Sequence, residues 1–119
     1  MAIAVTKTKD ALCNAYATIA PTIYVSVHIG DPGTTGANEA SGGTPAYQRK
    51  ATTWAAAANG QVTGSPVTID LQPGTYTWAG LWKSANGTAA DQFIDKVAIP
   101  STTLGAQGTL MITPTFTIN

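Results

Sequence analysis

The chain begins with a helical spacing and then changes period. Around residues 6–19, Val5, Leu12, Cys13, Tyr16 and Ile19 recur near one helical face. The spacing predicts an amphipathic helix packed on a sheet, with Thr6 or Thr8 as its cap and Pro21 as its stop. From residue 22 the period becomes two. Ile23, Val25, Val27 and Ile29 alternate with Tyr24, Ser26 and His28, so the first set is expected to face the core. Further alternation predicts strands over 46–54, 67–71 and 75–84, a return strand beginning near Phe93, Val97 and Ile99, and a last strand over 109–118. In that last strand Leu110, Ile112, Phe116 and Ile118 oppose Thr109, Met111, Thr113, Thr115 and Thr117. Pro114 lacks an amide donor, which places it at an edge or bulge. Asn59-Gly60, Pro73-Gly74 and Asn86-Gly87 supply turns, the last as a two-residue hairpin. The pattern predicts a mainly β protein: an antiparallel β-sandwich with one N-terminal α-helix and a long Gly/Pro-rich loop. We read 1–119 as one domain, with 1–20 helical, 22–118 the sandwich and 30–45 the loop.

That loop is the one long segment without hydrophobic periodicity. It carries glycines at 30, 33, 36, 42 and 43 and prolines at 32 and 45, and Asp31-Pro32-Gly33 suits a turn with a positive φ at the glycine. A connection this long in a compact domain generally has a job or is held from outside. We therefore expect it to be ordered by contact, reaching onto a neighbouring subunit.

The same stretch carries a family resemblance. The HIGDPG turn, the GANEASGG tract, Tyr47-Gln48-Arg49 and the later Ala79-Gly80-Leu81-Trp82 together resemble small virion proteins of tailed bacteriophages, the minor tail or tail-fibre-like proteins found mostly in phages and prophages of actinobacterial hosts. The resemblance runs from about His28 to the C-terminus. That family typically has Tyr-Ala-Arg where this chain has Gln48 in the middle, and often Thr in place of Ile29. What the resemblance implies is a structural role in a virion, with copies of the same chain and other virion proteins as partners, and no reaction.

Composition sharpens this picture. Net charge is zero and charged residues make up only 10% of 119, well below the usual quarter. So neutral an exterior favours association over repulsion, and predicts that much of the surface is covered by other protein. It also argues against nucleic acid, because six cationic residues spread from Lys7 to Lys96 form no basic stripe. No apolar run long enough to cross a membrane is present; 97–119 is interrupted by Pro100 and Pro114. The opening residues lack the pattern of a secretory signal. Cys13, the single cysteine, excludes an intrachain disulfide and reads as a small apolar helix residue.

No catalytic constellation stands out. His28 is the only histidine, and Asp10, Asp31, Glu39, Asp70, Asp91 and Asp95 are scattered, whereas glycoside hydrolysis needs a carboxylate pair held across a cleft. His28 with Asp31 and Glu39 offers a cation site on paper, but such carboxylates more commonly make local turn hydrogen bonds. We expect neither enzyme activity, nor metal, nor cofactor. Asn86-Gly87-Thr88 matches a glycosylation acceptor, which a turn explains equally well. Trp78 and Trp82, four residues apart on one strand face and about 13 Å from each other, suggest either core or subunit-contact residues or a platform for host envelope sugars. The candidate interface comprises Asp31, Pro32, Gly33, Asn38, Glu39, Tyr47, Arg49, Trp78, Trp82 and Pro114. A minor tail or fibre-like subunit is the leading expectation; a capsid decoration protein clamping capsomers is the alternative, and a carbohydrate-binding module the lesser one.

Overall fold

A computed structural model describes residues 2–118. The protein is mainly β, with antiparallel sheets and one helix near the N-terminus. The helix α1 (Thr6–Ala17) is followed by β1 (Ile23–His28), β2 (Lys50–Thr52), β3 (Gln61–Thr63), β4 (Val67–Leu71), β5 (Gly74–Trp82), β6 (Phe93–Leu104), β7 (Gly108–Ile112) and β8 (Thr115–Thr117). A four-stranded sheet of order β2-β1-β5-β6 is accompanied by two strand pairs, β4-β7 and β3-β8. The molecule measures 47 × 26 × 25 Å, with a radius of gyration of 14.8 Å. A compact chain of this length would have about 13.5 Å, so this one is elongated.

The core lies between the large sheet and the β4-β7 pair. Val25 and Val27 of β1 meet Val67, Ile69 and Leu71 of β4 and Tyr76 of β5, with Leu81, Leu104, Leu110 and Ile112 around them. The alternation in β4 gives this directly, since Val67, Ile69 and Leu71 are buried while Thr68 is exposed. A register shift between Tyr76 and Trp78 lets Tyr76 and Ala79, an odd number apart, both be buried. The period-two expectation for β1 is met by Ile23, Val25 and Val27 but corrected at Ile29, which lies past the strand and is exposed. Its polar partners Ser26 and His28 are completely buried, so both faces of β1 are interior.

Several boundaries differ from expectation for physical reasons. The strand expected over 46–54 contracts to Lys50–Thr52 because Tyr47 and Arg49 turn inward to hold the loop. The expected final strand divides in two around Pro114, whose carbonyl accepts the Gly64 amide. Its halves pair with different partners, β7 with β4 and β8 with β3, yet the predicted alternation persists through both. Asn86-Gly87 lies in the 83–92 connection with a 3-10 turn at Ala90–Gln92, so it is a bend in a longer crossing rather than a two-residue hairpin. The sequence pattern missed β3 entirely, a three-residue strand with a single buried side chain, Val62.

Helix α1 starts at Val5 without a side-chain cap, from Thr6 or Thr8 or otherwise. Cys13 is its one fully buried residue. Asp10 Oδ1 accepts the Gly60 amide at 2.7 Å and Asn14 Oδ1 accepts that of Ala57 at 3.0 Å. Tyr16 stacks on Phe116 with ring centroids 3.8 Å apart, lies edge-on to Trp54, and donates its hydroxyl to Asp95 at 2.7 Å. Burial and the acceptor on Asp95 push the Tyr16 hydroxyl pKa upward. Val5, Leu12 and Ile19, expected on the packed face, are exposed instead.

Candidate interaction surfaces

The long loop leaves β1 at His28 and comes straight back. Ile29 N–H donates to Asn38 O and Ala40 N–H to Val27 O, both at 2.9 Å, so Glu39 lies opposite His28 as if in a short added strand. The tip is a tight turn around buried Pro32, whose carbonyl accepts the amides of Gly36 and Ala37. Asp31 Oδ1 accepts the Gly33 amide at 2.8 Å and pairs with Lys96 at 2.6 Å. That lysine, then the amide, holds the exposed Asp31 carboxyl below its ordinary range. Gly36 has φ +77°, and a Cβ there would overlap the Trp82 ring; only glycine lets this backbone lie on the indole.

Glu39 is the staple. It accepts two hydrogen bonds from Arg49, Nε to Oε2 and Nη2 to Oε1, each at 2.7 Å, and one from the Tyr47 hydroxyl at 2.7 Å. Arg49 also donates to the carbonyls of Ser84 and Gly87 at 3.1 and 2.7 Å, while its guanidinium sits 3.7 Å from the Trp82 ring centroid. Such a planar fork satisfies a carboxylate, two carbonyls and an aromatic face together. Burial, then the Glu39 carboxylate, raises the Tyr47 pKa, which keeps that hydroxyl a donor.

Beneath the loop runs a second chain of hydrogen bonds. The Ala37 carbonyl can only accept, so His28 Nδ1 carries the proton and donates to it at 2.8 Å. His28 Nε2 therefore accepts from Ser26 Oγ at 2.7 Å, and Ser26 Oγ accepts from Trp82 Nε1 at 3.0 Å. Burial lowers the His28 pKa, and the Ala37 hydrogen bond and the Glu39 charge only partly oppose it. Gly80 leaves room for this chain: a Cβ there would crowd Ser26, Phe93 and His28.

The structure thus brings together Glu39, Tyr47, Arg49 and Trp82, and adds Pro32 nearby, but as interior residues. Trp82 has 0% exposure and Pro32 and Arg49 are buried, which corrects their expected place at a contact surface. The sugar platform does not form, because Trp82 is covered by Gly36 and Arg49, while half-exposed Trp78 lies alone beneath Lys96. The loop, expected to reach onto a neighbouring subunit, folds back instead onto its own chain through Glu39, Arg49 and Trp82. Asp31, Gly33 and Asn38 are exposed at its tip and Pro114 is half-exposed between β7 and β8. Gln48 and Ile29, the two departures from the phage-family pattern, are both exposed, where substitution costs little.

The sequence pattern did not find an open apolar surface beside β6 and β7. Consecutive strands β6 and β7 belong to different strand groups, and between them opens a groove of about 590 Å³ lined by Val25, Leu81, Val97, Leu110, Met111 and Phe116 among others. Val97 and Met111 are exposed there, Met111 by 68%. The signal was present only as an apolar residue at an otherwise threonine-bearing position of β7.

Comparison with the curated proteins and with the solved structures gives no match. A family model described as "Podophage GP4 fiber I protein gp80" matches residues 2–108, a span that includes α1, the whole clamped loop and the large sheet. The chain belongs to this phage fibre protein family.

Proposed function

We propose that this chain is a structural subunit of a tailed-phage virion, a minor tail or fibre-like component that assembles with copies of itself and with other virion proteins, without catalysis. Membership of a fibre protein family supports the structural role. The observation that carries the assembly role is the surface: neutral overall, only 10% charged, and apolar along an open groove. Some of those few charges are also engaged within the chain, Glu39 with Arg49 and Asp31 with Lys96. What remains outside is mostly neutral, threonine, alanine, glycine and amide side chains with isolated apolar ones, and only a few exposed charges such as Lys7, Lys83 and Asp91. Such a surface gains by contact and repels little. The long β6 edge, with no strand on its outer side among the described residues, adds unpaired backbone groups of the kind that join chains. The loop tip at Asp31, Gly33 and Asn38, together with Trp78 and Pro114, is the exposed part of the candidate interface. No role in binding nucleic acid or membrane is included, and sugar binding would have to use some other surface than the Trp78–Trp82 pair.

Labelling this chain on purified particles tests the proposal, with copy number read from the same sample. Signal confined to the tail in few copies is expected. Many copies over the head would convert the role to capsid decoration, and absence from intact particles would sink the proposal.

A further inference from the structure

Asn-Gly occurs twice, at 59–60 and at 86–87, and the fold treats the two copies in opposite ways. Asn59 and Gly60 have φ of 54° and 74°, the paired positive values of a type I′ turn, closed by backbone hydrogen bonds between Ala58 and Gln61 at 2.9 and 3.0 Å. Gly60 is buried and fixed at both ends: its N–H donates to Asp10 Oδ1 at 2.7 Å, and its carbonyl accepts the Ile118 N–H at 2.8 Å. Asn86 and Gly87 are exposed in the open bend after β5. Among the described residues neither the Asn86 carboxamide nor the Gly87 N–H has a hydrogen-bond partner, and the space beside the Gly87 Cα is empty.

The geometry points to Asn86 as a site of spontaneous covalent modification, and to Asn59 as the same sequence protected by the fold. The Gly87 nitrogen attacks Asn86 Cγ: the N–Cγ bond forms, the Cγ–Nδ2 bond breaks, and Nδ2 leaves as ammonia with the proton that the Gly87 nitrogen gives up. Water then opens the cyclic imide at either carbonyl. Opening at Cγ leaves aspartate; opening at the other carbonyl leaves isoaspartate, whose main chain runs through Cβ and Cγ and is longer by one methylene. Water is the only other reactant. At Gly60 the same attack requires the nitrogen to release Asp10 and the turn to open, and both cost free energy.

The product alters a span that the clamp uses. Arg49 holds the carbonyls of Ser84 and Gly87 at 3.1 and 2.7 Å, so Asn86 lies between two contacts of one guanidinium. Lengthening the main chain there draws a carbonyl away from its donor, and the same guanidinium anchors Glu39 and the loop. The new carboxylate also adds one negative charge to a chain whose net charge is zero. In a subunit assembled once and not replaced, as the proposed virion role would make this one, the change accumulates with age. The chemistry itself does not depend on that role.

Incubating the purified full chain, warm and at mildly alkaline pH, provides the test, with peptide mass mapping to locate each amide lost. Conversion at Asn86 is expected in the folded chain, faster as pH rises because the attacking nitrogen must lose its proton, with Asn59 left intact. In urea both sites should convert at similar rates, which assigns the difference to the fold. Asn86→Gln should abolish the acidic species that ion exchange separates from aged wild type. The isoaspartate fraction should unfold at a lower denaturant concentration than freshly prepared Asn86→Asp, which carries the same charge without the added methylene. An intact Asn86 in the aged folded chain overturns the inference, as does Asn59 converting as fast as Asn86 there, or staying intact in urea. Equal unfolding midpoints for the isoaspartate fraction, Asn86→Asp and wild type would overturn the link to the Arg49 clamp.

Discussion

The two sides of the large sheet solve opposite problems. On the loop side, charged and polar groups are turned inward: Arg49 and Glu39, with side chains only 4% and 16% exposed, hold the glycine-rich excursion against Trp82. On the β6/β7 side, Val97 and Met111 face outward beside an open apolar groove. The difference teaches that scarcity of charge does not mean absence of electrostatic structure. Part of a small complement of charged residues is used to fix a loop, and the remaining exterior is left neutral, the condition under which subunits pack together.

The comparison is broken most severely at Glu39. Glu39→Ala leaves the buried guanidinium without its carboxylate and is expected to lower stability by about 3–5 kcal/mol, read from denaturant midpoints; a loss below the effect of an ordinary surface change would show the clamp to be incidental. Gly36→Ala comes next. Overlap with Trp82 and a left-handed backbone together are expected to cost about 2–4 kcal/mol, accompanied by a red shift of tryptophan emission as the loop lifts and water reaches the ring.

A smaller effect depends on pH. Burial keeps the His28 pKa below its ordinary 6.5, so the unfolded chain takes up a proton first as pH falls. Stability is therefore constant above the unfolded value and declines as pH drops through it toward the lower folded value. Unfolding curves measured from pH 7.5 down to 5 should show this decline in wild type relative to His28→Gln, whose profile should be flatter; identical profiles would remove His28 as the cause. The smallest stability change belongs to the other side of the sheet. Met111→Lys should alter folding by no more than about 0.5 kcal/mol yet reduce incorporation into particles. Normal incorporation would mean that the groove is not covered in the virion.

Much of the fold was legible. Alternation placed Val67, Ile69 and Leu71 in the core and the threonines of β7 and β8 outside, because on a strand with one buried face the side-chain period is the burial pattern. The site residues were legible as a set but not in their role. Glu39, Tyr47, Arg49 and Trp82 were each singled out, and they do converge, but inside the chain. Nothing in their spacing shows that a loop will fold back onto the sheet it leaves.

By itself the sequence determined the antiparallel β class, the single helix, the neutrality of the exterior and the absence of a cysteine framework, since these depend on local period and composition. Only the tertiary structure decided which faces are covered. Ser26 and His28 alternate like solvent-facing residues but lie beneath Ala37 and beside Trp82. Val5, Leu12 and Ile19 fit one helical face with Cys13 and Tyr16, yet docking of α1 on the body buries Cys13, half-buries Tyr16 against Phe116 and Trp54, and leaves the first three outside. The physical reason is common to both cases. A period fixes the direction of a side chain relative to its own element, whereas burial depends on what distant segments bring against it.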